Sequence, residues 1–277
     1  MDLVLRMLVE TALVPVIVSG IIVATMIRVP KLAPASGAVA LGTAFFAGWA
    51  TQQWTTLWPT RYLDWLPYVA VGLSVVALMS TAGLPRKIIW PLATAACVGA
   101  AWLLVPPFAR LQPLAVCMIA AATLLLFVAV EPLRTRSNER LFIACLMATG
   151  TAGSIVLAQS FSLKFAQSMG ILTAALAGSL LFGKGGSDSS SACLSLVFMT
   201  VLTNLMFIGY AGSTSDVPVF CYAILPFAPL ALWIAAGVRN KEKRSLSAAA
   251  GAVVAFAIVL LVAVGPAVMA HPPWEVE

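Results

Sequence analysis

The feature that most limits how this chain can fold is a succession of about ten apolar stretches, each long enough to cross a bilayer. Charged residues are mostly confined to the short gaps between them. Only 9% of the 277 residues are charged and 61% are hydrophobic. Mean hydropathy is +1.01, whereas soluble domains carry about 25% charged residues. Composition therefore predicts that lipid, not water, solvates most of the chain. Backbone groups in hydrocarbon must be satisfied within a helix or around a closed barrel. Barrel strands alternate polar and apolar residues. Residues 114–130 and 248–264 are instead apolar on every side, which predicts helices.

The expected fold is all-α and polytopic, a single transmembrane domain over 1–277 with no soluble domain. The stretches place helices at about 7–27, 33–50, 65–83, 88–105, 113–131, 141–159, 167–182, 192–211, 217–238 and 247–270. Breakers agree with the gaps: Pro30 and Pro34, Pro85, Pro106 with Pro107, and the glycine- and serine-rich run 183–189. The first run carries Glu10 and Pro15, continues to Ile27 and meets Arg28 and Lys31, which favours a retained helix over a cleaved signal.

Basic residues set the direction of threading. Arg28, Lys31, Arg86, Lys87, Arg134, Arg136, Arg140, Lys184, Arg239, Lys241, Lys243 and Arg244 fall on one side, and Arg6, Arg61, Arg110 and Lys164 on the other. Twelve against four puts both termini on the non-cytoplasmic face of an inner or plasma membrane. Trp49, Trp54, Trp58, Tyr62 and Trp65 crowd one outer loop, where aromatic rings suit the headgroup zone. The net charge of +6 then reads as a topology signal, with the bilayer as partner and no nucleic acid.

An internal repeat is also expected. Shifting the chain by 133 residues (153 minus 20) sets Gly20 on Gly153, Ile22-Val23 on Ile155-Val156, Lys31 on Lys164 and Gly37 on Gly170. Half-repeats 1–134 and 135–277 would hold five helices each. That odd number inverts the second half, as in many transporters.

Few residues carry chemistry. Cys97, Cys117, Cys145, Cys193 and Cys221 lie in apolar stretches without CxxC spacing, and His271 is the sole histidine. No metal or cofactor is expected. The run 183–187 lacks Walker spacing. Small residues recur every four positions at Ala40, Ala44, Gly48, at Gly170, Ala174, Gly178 and at Gly150, Ser154, Ala158, a pattern for close helix packing. Glu10 is the acidic residue well inside an apolar run and the candidate coupling group. Arg6, four residues earlier, offers it a plainer role as an interfacial ion pair. Asn204, with Thr200 one turn before it, is the mid-helix polar pair, and Gln159 is a second amide. Pro226 and Pro229 break the ninth helix and free carbonyls for water, side chain or ligand.

These features predict a secondary transporter or permease for a small, largely neutral or amphipathic solute, with Asn204, Thr200, Pro226, Pro229 and Gln159 along its pathway. Two alternatives fit the same composition. One is a non-catalytic integral subunit that scaffolds a complex, in homo- or hetero-oligomers. The other is a membrane-embedded enzyme for lipid-linked substrates, using Glu10, Asp64 and Asp216.

Overall fold

A computed structural model describes residues 9–52, 58–59, 61–81, 85–106, 113–136, 139–183, 194–213, 215–233 and 246–270. Of these, 90% are helical and none lies in a strand. Among the described residues ten α-helices follow one another in the order of the apolar stretches. They are α1 (Val14–Met26), α2 (Ser36–Gln52), α3 (Leu66–Thr81), α4 (Arg86–Leu104) and α5 (Pro113–Arg136). The second half holds α6 (Glu139–Gln159), α7 (Leu163–Phe182), α8 (Leu194–Gly212), the short α9 (Val219–Ile224) and α10 (Leu246–Ala270). Eight helices among the described residues are long and apolar enough to cross a membrane. The two outside that set are α2, with 17 residues, and the helical stretch Val219–Ala231.

Three boundaries differ from the sequence expectation, each for a local reason. α7 is not short: it begins at Leu163 and runs for 20 residues. It can begin there because a tight turn at 160–162 reverses the chain directly after α6. α5 does not close at Glu131 but continues through Pro132 to Arg136. Pro132 lacks the N–H that would reach the Val128 carbonyl, so it removes one helix bond while the helix runs on for one more turn. The ninth stretch is helical in α9 and then winds as a 3-10 helix over Leu225–Ala231. Pro226 and Pro229 cannot donate to the carbonyls of Tyr222 and Leu225, four residues back.

At the first helix, a single π turn (Val9–Leu13) precedes α1, and Pro15 is the second residue of α1. The wide turn absorbs the proline's missing donor and its ring.

α8 is the axis of the bundle. It packs on α2, α3, α4, α5, α6, α7 and α9. Of the residues in its apolar stretch 78% are buried, against 17% in α10. α1 lies outside against α2 and α7, and α10 lies outside against α6 and the 3-10 segment. The axial helix can therefore carry polar side chains, because protein and not lipid surrounds it.

Helices approach closely where glycine removes a side chain. A Cβ on Gly178 of α7 would fall 2.5 Å from the Val16 carbonyl oxygen and 2.8 Å from Ser19 Cβ, both in α1. One on Gly48 of α2 would fall 2.7 Å from Ile171 of α7 and 2.7 Å from Pro15. Gly42 meets Ser74, Gly150 meets Thr173 and Gly209 meets Leu157 in the same way. Serine hydroxyls pin the same crossings. Ser19 donates to the Ala175 carbonyl at 2.7 Å, Ser74 to the Ala38 carbonyl at 2.8 Å and Ser154 to the Ala166 carbonyl at 2.8 Å.

Candidate functional site

The middle of α8 concentrates the buried polar side chains. Thr200, Thr203 and Asn204 are 0%, 9% and 1% exposed. The Asn204 amide donates to the Thr200 carbonyl at 2.8 Å, one turn back along the helix. A carbonyl only accepts, so this contact fixes which end of the amide faces the backbone and which faces away. The Thr200 hydroxyl donates to the Leu196 carbonyl at 2.7 Å and lies 3.8 Å from Cys97 Sγ of α4. Two atoms are left over: Asn204 Oδ1 and Thr203 Oγ1 are buried without a hydrogen-bond partner among the described residues. Buried polar atoms without partners are uncommon in folded proteins and call for an explanation. Thr203 escapes sequence reasoning, which pairs Asn204 with Thr200 by their four-residue spacing.

The other expected pathway residues take different places. Pro226 and Pro229 are buried in the 3-10 segment. Leu225 and Met206 both reach the position of Gly153, at 3.1 and 3.0 Å from its would-be Cβ. The prolines that follow Leu225 thus share the depth of the polar turn of α8, which runs the opposite way. Gln159 does not join them. It is the half-buried last residue of α6, about 9 Å further along the axis than Gly153 at 1.5 Å per residue.

Glu10 sits in the π turn ahead of α1, half-buried and engaged by neighbouring groups. Its expected partner Arg6 lies outside the described residues, as do Trp54, the run 184–190 and His271. Asp64 acts as a cap: its Oδ2 accepts the Arg61 backbone N–H at 2.9 Å, at the start of the 3-10 turn before α3. A carboxylate in that position satisfies an otherwise open donor. Asp216 is exposed in the loop between α8 and α9.

The small-residue stripes divide. Ala40, Ala44, Gly48 and Gly178 are buried at helix crossings, whereas Gly170 and Ala174 are only half-buried and nothing stands within 4 Å of a Cβ on Gly170. In the third stripe Ala158 is exposed.

At the end of the bundle that carries most basic loops, a narrow cleft of about 20 Å³ opens between Val23, Ser36, Glu139, Arg140, Ser179 and Leu194. That is room for a single water. Beside it the Ser195 hydroxyl, in the first turn of α8, donates to the Glu131 carboxylate of α5. Ser195 and Glu131 lie 64 positions apart in the chain, so no local pattern announces their contact. Among the described residues no three His, Cys, Asp or Glu side chains come together as metal ligands do. The chain matches no protein-family model and no curated protein, so its site stands on its own geometry.

Proposed function

We propose that the chain is a multi-pass secondary transporter for a small, largely neutral or amphipathic solute, bound at the polar turn of α8. The observation that carries this reading is the pair of unpartnered oxygens on Thr203 and Asn204, in the most buried helix of the bundle. Left unpaired they destabilise the fold, since each costs about 1–3 kcal/mol until something pairs with it. The 3-10 segment at Pro226 and Pro229, at the same depth, supports the reading, because interrupted helices accompany solute sites in transporters. The narrow cleft at the basic end fits a closed gate.

Ten crossings in two inverted five-helix halves belong to the same proposal. Contacts of α1 with α2 recur as contacts of α6 with α7, and the equivalent helices α2 and α7 pack on each other. The halves are not equal, however: α1 lies broadly on α7, and α2 has no comparable seat on α6 among the described residues. A scaffold subunit is the second reading, favoured by the close glycine-lined packing of the bundle.

Uptake into proteoliposomes across a solute panel tests the proposal. A solute should enter faster than into empty vesicles, and Asn204→Leu should lower that flux about tenfold, the worth of one hydrogen bond. Equal flux with and without protein for every solute would leave the scaffold reading. Glu10→Gln should flatten the pH dependence of uptake if that carboxyl couples a proton. An unaltered pH profile would assign Glu10 to the interface.

A further inference from the structure

We infer that the polar turn of α8 selects solutes that present a hydrogen-bond donor (a hydroxyl, an amide N–H or an ammonium group) and rejects carboxylates and phosphates. This rests on the transport reading and names its substrate class. The argument starts from proton bookkeeping. Asn204 has its N–H end turned to the Thr200 carbonyl, so the atom left open is Oδ1, which can only accept. The single Thr200 hydroxyl proton is committed to the Leu196 carbonyl, so the Cys97 thiol is the donor in their contact. The Asn204 nitrogen already has a partner in the Thr200 carbonyl and keeps one further N–H beside the open oxygen. The atoms with no partner among the described residues are one acceptor and one hydroxyl that can serve either way.

The two positions belong to one side of the helix. Along α8, Asn204 lies about 40° from Thr200 and Thr203 about 60° on its other side, at 100° per residue. They flank the line on which Thr200 meets Cys97. α4 presents small side chains along that line, with buried Ala93 and Ala100 four residues before and three after Cys97. A slight parting of α4 from α8 would admit a small group against both oxygens.

Charge narrows the choice further. α8 contains no Lys, Arg, Asp or Glu. In α4 the basic residues are Arg86 and Lys87 at its start, about 15 Å along the axis from Cys97 at 1.5 Å per residue. An anion there would face an amide oxygen with no counter-charge, which low dielectric penalises heavily. A donor or a monovalent ammonium would complete an unfilled acceptor. A divalent cation would find too few oxygens, since calcium takes 6–8 ligands.

The test uses the full purified chain and three probes: ethanolamine, erythritol and lactate. Uptake of ethanolamine or erythritol into proteoliposomes should exceed that of lactate. It should fall about tenfold in Asn204→Leu, and less in Thr203→Val. Asn204→Asp should shift preference toward ethanolamine. Melting temperature supplies a readout that a purely structural Asn204 would move the other way. Without probe, Asn204→Leu should melt higher than the parent, because it removes an unfilled acceptor, whereas loss of a structural bond would lower it. Lactate uptake that Asn204→Leu leaves untouched overturns the inference and spares transport. Thermal stabilisation of the parent by ethanolamine, absent in Asn204→Leu and without flux, upholds the site and removes transport. No flux and no thermal shift with any probe overturns the inference.

Discussion

Phe161 is the non-glycine residue with a left-handed backbone among the described residues, at φ 57°. It closes α6 as a glycine usually would. Its N–H donates to the Ala158 carbonyl at 3.1 Å and the next N–H, of Ser162, to the Leu157 carbonyl at 3.2 Å. This pair of bonds terminates a helix with the residue between them in the left-handed region. A Cβ there costs about 1–2 kcal/mol. The Phe161 side chain is 71% exposed. Phe161→Gly should therefore stabilise the fold by about 0.5–1 kcal/mol after the extra unfolded-state freedom of glycine is counted. Phe161→Ala keeps the Cβ and should give no gain. Thermal unfolding of both variants in one detergent separates them, and equal midpoints would remove backbone strain as the cause. The same turn explains a boundary that sequence could not supply. With neither glycine nor asparagine at 161, nothing marks 160–162 as a sharp reversal, and α7 therefore reads four residues too short. Glu131 is a similar case, because its contact with Ser195 is made by the fold and not by spacing.

At the scale of elements, four-residue spacing marks a stripe but not which of its members touch a neighbour. Gly170 and Gly178 occupy one stripe on α7 and should respond to alanine with opposite signs. A Cβ on Gly170 meets open space, so Gly170→Ala should gain about 0.5–1 kcal/mol from helix propensity. A Cβ on Gly178 would fall 2.5 Å from a backbone oxygen of α1. Backbone cannot swing aside as a side chain does, so Gly178→Ala should force α1 and α7 apart at a cost of about 1–3 kcal/mol. The Ser19 bonds to the Ala175 carbonyl and to Ser179, at 2.7 and 3.0 Å, would be stretched with it. Unfolding midpoints of the two alanine variants, compared with the parent, check the pair. A common sign would mean that the crossing of α1 on α7 does not have this geometry. α8 makes the same point about legibility. Its hydropathy resembles that of its neighbours, with a mean of 1.8 against 2.0 for α6, so composition does not reveal it as the axis. Only packing on seven other helices does, and only packing turns Thr203 from an ordinary helix residue into an unfilled hydroxyl.

The whole molecule follows from how its helix ends sort. The cleft beside Glu139 and Arg140 gathers the ends of α1 and α7 with the starts of α2, α6 and α8. Glu131, near the end of α5, joins that group through Ser195. At the other pole, the start of α7 approaches the end of α8, where Phe165 stands 3.9 Å from a Cβ on Gly212. At the first pole the ends of α1, α5 and α7 meet the starts of α2, α6 and α8, as a chain weaving through the bundle requires. Arg28, Lys31, Arg86, Lys87 and Arg140 attach to the first pole, and the excess of basic residues predicts that this pole faces the cytoplasm. The order of helices was legible in sequence because it depends on counts over long stretches, which single misplaced boundaries do not disturb, and the polarity is a prediction from the same stretches. The orientation is open to a direct measurement. With the five native cysteines replaced, single cysteines at exposed Lys31 and Arg140 probe the basic pole, and those at exposed Trp58 and Lys164 probe the other. A membrane-impermeant maleimide added to intact cells should label Trp58→Cys and Lys164→Cys at once, and Lys31→Cys and Arg140→Cys only after permeabilisation. The reverse pattern would turn the molecule over while keeping its weave. Unequal labelling within either pair would break the weave itself, because two positions on one pole cannot face opposite solutions.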